Sequence, residues 1–319
     1  MAMDMKIKAI RNHSIKLYLA MTLIGLMVPA STSASIYNAT LNGNTPIATD
    51  SRDVELKAIS QIITPDKVRA NYTLQNTSEQ KTNIVMAFKM PTLRSDYMHA
   101  NLYRDFEIII GGEKVTTNEY RKAYLGGKDI TNLLKNNGLT VPVDACMRGE
   151  DRKFVEAAKK LNAKQKKELF DNGIDVDNIL KGDCWLPWEL EVNYSWTVTI
   201  EPKKDLQVEL SYTPNLTSFS IPVLSEKIRA EYCIDEKTYK QLTKKIGFGK
   251  TYPYFFEESF TPAKNWKGNI DKLSLAVESK KVGSYVFSCF KGIEKKSEFE
   301  LGAELSDVDP QEELKVLFL

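Results

Sequence analysis

Histidine is almost missing from this chain of 319 residues: there are two, His13 and His99. That excludes a multi-histidine metal centre. A Ser-His-Asp or Cys-His catalytic site would have to be built on His99. His99 lies in Asp96-Tyr-Met-His-Ala-Asn-Leu-Tyr103, between strand-like segments and with no nucleophile motif beside it, so it reads as a surface-loop residue. Glycine-rich phosphate loops are absent as well. Gly111-Gly112 and Gly126-Gly127 mark turns, and Gly247-Phe-Gly249 lacks the strand-to-helix context that a phosphate cradle needs. No catalytic, cofactor-binding or metal-ligating residue is assigned, and no cofactor is expected. Carboxylates are plentiful, with 42 Asp and Glu. A glycosidase-type pair therefore stays open, although sequence does not show which two would face each other.

Long apolar runs are also lacking. Leu17–Val28 (LYLAMTLIGLMV) is 12 residues long, short of the roughly 20 a bilayer span requires. It follows Lys6, Lys8, Arg11 and Lys16 and precedes Pro29, Ala30 and Ser-Thr-Ser-Ala-Ser35. A basic head, a short apolar middle and a small-residue exit are the parts of a secretory signal peptide. Residues 1–34 are read as that leader, with cleavage after Ala34 and the next choice after Ala30. Export to the periplasm or outside the cell is the expected location, with no integral membrane segment after cleavage.

A charge of one sign is missing too. The chain carries +2; taking away the four basic residues of the leader and Asp4 leaves −1. Nothing in that balance calls for nucleic acid or an anionic membrane surface.

There are four cysteines: Cys146, Cys184, Cys233 and Cys289. In an exported chain they suggest two disulfides, and sequence alone permits three connectivities. Pairing neighbours in order, Cys146–Cys184 and Cys233–Cys289, is the favoured one. No C-x-x-C pair supports a zinc site.

What the chain has in quantity is alternation. Val68, Ala70, Tyr72 and Leu74 alternate with polar residues, then a polar turn leads to Ile84, Met86, Phe88 and Met90. Phe106–Ile110 and Glu113–Val115 flank Gly111-Gly112 as a hairpin. Leu190, Val192, Tyr194, Trp196, Val198 and Ile200 share one face of a long strand, with Glu189 through Thr199 on a wet face. Leu206–Tyr212 repeats the pattern after Glu-Pro-Lys-Lys, which predicts a hairpin. Further strands are read at 273–277, 285–290, 299–303 and 314–319, and residues 35–52 as polar and turn-rich.

Helical period appears in two places. Residues 128–184 form an insertion: Asp129–Gly138 has a capping residue and a terminal glycine, and Phe154, Val155, Ala158, Leu161, Leu169 and Phe170 suit helices with one buried stripe. Ile234–Gly247 reads as a helix capped by Asp235, with Ile234 stapled onto Tyr239. The organisation is thus a leader (1–34), an N-terminal β segment (35–127), a helical insertion (128–184) and a β segment completing the sandwich (185–319). The fold class is mainly β, an antiparallel sandwich-type architecture of one large or two abutting sandwiches. Trp185 and Trp188, flanking Pro187, are expected to pack the insertion onto the sheet, and Trp196 to sit in the core. Tyr252, Tyr254, Phe255 and Phe256 are the candidates for an exposed binding patch of aromatics.

The order of VRANYTLQNTSEQKTNIVMAFKMP, KAYLGGKDITNLL, WELEVNYSWTV, VELSYTP, EYCID, NWKGNIDKLSLAV, SYVFSCF and LKVLFL resembles the bacterial exported family called domain of unknown function 4424, over about Val54–Leu319. Here TVTIEP and YTPNLTS stand where the family tends to show Phe-Pro and a Gly after Tyr-x-Pro. The resemblance implies an exported β protein and supplies no catalytic residue. It covers the segments of both Cys233 and Cys289, which implies that these two bond to each other. The reading at this level is a non-enzymatic envelope protein that binds or scaffolds an envelope protein or glycan. Its rival is a carboxylate-dependent hydrolase of an envelope polymer or glycan.

Overall fold

The computed structural model describes residues 35–319 except 44, 91, 95–103, 143–150, 184–185, 215, 219–224, 247–252, 280–283 and 310–312. Residues 1–34, expected to be a leader, and His99, Cys146, Cys184, Trp185, Gly247 and Tyr252 lie outside the described residues.

Three sheets carry the fold. In spatial order the first runs β10 (Lys128–Asp129), β9 (Asn118–Leu125), β11 (Glu189–Ile200), β5 (Thr82–Lys89), β1 (Ser35–Asn42) and β2 (Thr45–Ala48), with β6 (Leu93–Arg94) paired to β11. The second runs β17 (Glu294–Ser297), β18 (Glu300–Val308), β15 (Ile270–Glu278), β3 (Val54–Ile63), β4 (Val68–Asn76), β12 (Asp205–Thr213), β7 (Arg104–Ile110) and β8 (Glu113–Lys114). The third is β13 (Thr217–Ser218), β14 (Tyr254–Ser259), β19 (Glu313–Phe318) and β16 (Val286–Phe287). The strands pair antiparallel except β3 and β15, which run parallel. The chain is therefore mainly β and sandwich-like, as the alternation predicted, with one parallel seam added.

The apolar faces of all three sheets meet in one core. Phe88 and Trp196 come from the first, Tyr72 and Tyr212 from the second, Phe256 and Phe318 from the third. The Phe88 ring lies 5.4 Å from Phe106 and 5.6 Å from Tyr212. Burying each such ring stabilises the fold by roughly 1.5–3 kcal/mol.

The expected hairpin of β11 and β12 does not form. β11 lies in the first sheet between β9 and β5, and β12 lies in the second between β4 and β7. The link 201–204 is an arch from one sheet to the other, and so is 77–81 between β4 and β5. The two arches stack because β4 pairs β12, with Gln75 opposite Asp205, while β5 pairs β11, with Thr82 opposite Ile200. Asn76 locks them from a fully buried position: its Nδ2 donates to Gln80 O at 2.8 Å and Ile200 O at 3.1 Å. Its Oδ1 accepts from the N–H and the hydroxyl of Ser78. An arch and a hairpin bury the same alternate residues, so alternation does not separate them.

Other departures have similar causes. Residues 35–52 contain β1 and β2; β1 is enclosed by β5 and β2, and Ile36 is fully buried. The wet face of β11 is dry at Asn193 and Ser195, and the Tyr37 hydroxyl donates to Asn193 Oδ1 at 3.1 Å. The strand β9 carries no alternation, because polar side chains occupy both its faces. The Gly111-Gly112 hairpin forms as expected, with positive φ at both glycines.

The insertion holds α1 (Thr131–Asn136), α2 (Asp151–Ala158), α3 (Ala163–Asp171) and α4 (Val176–Asn178), followed by a π turn over Ile179–Asp183. Asp129 Oδ1 accepts from Thr131 N–H, and Asn162 with Gln165 closes a capping box on α3. Phe154, Ala158, Leu169, Ile174 and Val176 join the main core, and Phe154 meets Trp188 edge-on at 5.8 Å. The insertion is thus a structural part of the core rather than a peripheral appendage. Phe170, placed on the buried stripe by spacing, is exposed. Two more helices, α5 (Glu226–Glu231) and α6 (Glu236–Ile246), pack through Ile228, Tyr232, Ile234 and Leu242 on Phe255, Phe287 and Leu317 of the third sheet. Asp235 caps α6 through Thr238 N–H at 2.7 Å. Among the described residues no helix is long and apolar enough to cross a membrane.

Candidate binding groove

β9 is a strand without a core stripe: Asn-Glu-Tyr-Arg-Lys precedes the one buried residue, Ala123. Paired on one side by β11 and followed by α1, it presents polar and aromatic side chains to an open groove. The groove holds about 700 Å³ and is lined by Thr45, Glu119, Tyr120, Arg121, Lys135 and the 139–141 segment. That volume lies within the range of small-molecule sites. Lys135 of α1 places its Nζ 5.0 Å from the centre of the Tyr120 ring. Arg121 pairs with Glu119 on the same strand face, and its Nη1 donates to Val141 O at 3.5 Å. Two cations stand against one carboxylate, beside an aromatic ring fixed by a cation over its face. Such a set suits a ligand with an anionic group and a ring.

A second depression of about 340 Å³ lies on the insertion beside Phe170. Both of its lysines are neutralised, Lys166 by Asp177 at 2.6 Å and Lys167 by Asp171 at 2.8 Å. It offers less charge to a ligand than the β9 groove.

Of the aromatics singled out from sequence, Tyr254 is exposed, while Phe255 and Phe256 are interior. Phe255 packs against Tyr232, ring centres 5.7 Å apart. They do not form a shared surface patch, because successive residues of β14 point to opposite sides and both sides are covered. Cys233 and Cys289 are joined in a disulfide with Cα atoms 5.2 Å apart. Cys289 follows β16 as an exposed residue rather than sitting within an inner strand.

Among the described residues two carboxylates have raised pKa values. Burial pushes Glu258 up to about 8, against a hydrogen bond from Gln61 Nε2 at 2.6 Å. Burial also raises Glu257, against the attraction of Lys315. They are sequence neighbours on β14 and face opposite sides of the sheet, so they do not form a working acid–base pair. Among the described residues no group of three or more His, Cys, Asp and Glu side chains is placed to hold a metal ion.

Sequence reasoning missed the groove residues. The available signal was negative: a strand-length stretch of mixed charges and aromatics with no alternation.

The family model described as "Domain of unknown function (DUF4424)" matches residues 37–317. No curated protein matches the chain. Among solved structures, one similar fold is a provisionally named nutrient binding protein from Legionella pneumophila. It is 11% identical with a TM-score of 0.47, over 91% of this chain and 73% of that one. Another is an M1 zinc metallopeptidase from Deinococcus radiodurans, 9% identical with a TM-score of 0.31, over 84% of this chain. This chain spans 43% of the metallopeptidase. Likenesses this distant say nothing of a shared ligand or reaction.

Proposed function

The chain belongs to the family of the domain of unknown function DUF4424, and from that premise we propose that it works as an exported, non-enzymatic binding protein of the cell envelope. Its ligand is an acidic, ring-containing molecule such as a fragment of an anionic glycan. The observation that carries this is the β9 groove, where Arg121 and Lys135 supply charge around the Tyr120 ring. Export rests on the leader-like residues 1–34.

The test is a titration of the exported protein with acidic and neutral sugar fragments, followed by calorimetry. Acidic fragments are expected to bind. Tyr120→Ala and Lys135→Ala are each expected to weaken binding about tenfold, a loss of about 1.4 kcal/mol, without a large change in melting temperature. Binding of neutral and acidic fragments alike, or variants that bind as the parent does, overturns the assignment of the groove. Recovery of the chain with its leader inside the cell overturns export.

A further inference from the structure

A polar cluster is buried where the three sheets meet. β3 supplies Gln61, β4 supplies Tyr72, β14 supplies Glu258 and β1 begins with Ser35; all four are at most 2% exposed. Gln61 Nε2 donates to Glu258 Oε2 at 2.6 Å. Burial, and after it the Glu258 charge, drives the Tyr72 phenol well above its usual range. The Ser35 side chain stands beside that phenol. Two of its oxygens are unsatisfied: Gln61 Oε1 has no donor, and the Ser35 hydroxyl, able to donate and to accept, has no hydrogen-bond partner. Unpaired buried oxygens are costly, and a carboxyl buried without a counter-charge costs more. Burial pushes Glu258 up to about 8, and no cation of the described residues contributes to that shift.

Ser35 is also the residue at which the expected leader ends. We propose that cleavage between Ala34 and Ser35 creates a new functional group inside the protein, the α-ammonium of Ser35, and that Glu258 is its buried counter-charge. The inference rests on the export reading above. In the step itself a leader peptidase hydrolyses the Ala34–Ser35 amide. Water's oxygen joins the Ala34 carbonyl, which departs as a carboxylate on the leader. The C–N bond breaks, and both protons of that water pass to the Ser35 nitrogen, which already carries one and so becomes an ammonium. Cleavage precedes folding, because Ser35 in the folded chain is enclosed in β1 and paired with Lys89 of β5. The ammonium brings three donors to a cluster holding a carboxylate and two unpartnered oxygens. Paired, it ties the start of the first sheet to the second and third. Processing of the leader then completes the core as well as releasing the chain.

The experiment starts from protein recovered after export of the full-length chain. N-terminal sequencing is expected to begin at Ser35. A start at Ser31 leaves export standing and overturns the inference; an unprocessed chain inside the cell overturns export itself. The α-amine is then challenged with an amine-acylating reagent and read by mass spectrometry. It is expected to react at least about tenfold more slowly in the folded protein than in urea. Equal rates overturn the buried pair while leaving export intact. Finally, Glu258→Gln in the processed chain is expected to lower Tm by about 5–10 °C, since breaking a buried pair strands a charge. In a chain with one alanine added between Ala34 and Ser35, the same substitution is expected to lower it much less. Equal losses in both chains overturn the pairing. If Glu258→Gln does not fold, the acylation rates decide.

Discussion

Asn76 is the sharpest place to test how the sandwich closes. It ends β4, is fully buried, and serves the two stacked arches at once. Asn76→Ala removes the donors to Gln80 O and Ile200 O and the acceptor of two bonds from Ser78. The bonds to the part-buried Gln80 O and the buried Ile200 O are worth about 1 kcal/mol each, and carbonyls left short of a partner add about 1–2 kcal/mol. The two Ser78 bonds, nearer the surface, add about 0.5 kcal/mol each. The expected loss is about 4–5 kcal/mol, or roughly 10 °C in melting temperature. Urea unfolding followed by tryptophan fluorescence measures it, with a lower midpoint and an unchanged slope. Asn76→Asp separates hydrogen bonding from packing, because it keeps the volume but turns an acceptor toward two carbonyl oxygens. At pH 7 it is expected to destabilise at least as much as Asn76→Ala, with partial recovery in acid, where the protonated side chain regains one donor. A loss below about 1 kcal/mol in both variants would refute the view that Asn76 holds the arches together.

Three further outcomes are expected. Replacing Cys233 and Cys289 by serine opens a crosslink across a separation of 56 residues. The chain-entropy cost is about 4 kcal/mol, and a Tm unchanged from the parent would contradict it. In a chain extended ahead of Ser35, Glu258 has a folded pKa of about 8 against an unfolded value of 4.5, with Tyr72, Gln61 and Ser35 as the groups facing it. The folded state then keeps a proton the unfolded state loses, so stability is full below about pH 4.5 and falls as pH rises through 8, by up to about 5 kcal/mol. Glu258→Gln flattens that fall, and chemical denaturation across pH 4–9 checks it. In the processed chain, where an ammonium holds Glu258 charged, the fall is absent.

The legible part of the fold is the part set by period. Alternation marked the buried residues of β4, β5, β11 and β12, and period 3.6 with Asp235 at its head marked α6. The disulfide of Cys233 and Cys289 was expected from pairing neighbours in order and again from the family likeness, although four cysteines allow three pairings. The groove was illegible for a converse reason. Tyr120 and Arg121 lie on a strand whose two faces are both polar, and Lys135 comes from a helix after it. Their meeting depends on how β9 is held against β11, which no local pattern encodes.

Sequence by itself determined which apolar stripes turn inward along β4, β5, β11 and β12, but not that Asn193 and Ser195 are dry or that Phe170 is exposed. An apolar side chain's burial follows from its own chemistry and from a repeat of two or 3.6 residues, both local. Tertiary structure alone decided which sheet each strand joins. β11 leaves β12 for β5 because the links at 77–81 and 201–204 cross between sheets together and share Asn76 as a common hydrogen-bonding partner. It also decided that Gln61, Tyr72, Glu258 and Ser35, drawn from four distant strands, meet in one dry cluster. In sequence each is an ordinary polar residue in a strand. Only closure of three sheets around them removes the water, and removal of water is what gives the Glu258 carboxyl its raised pKa.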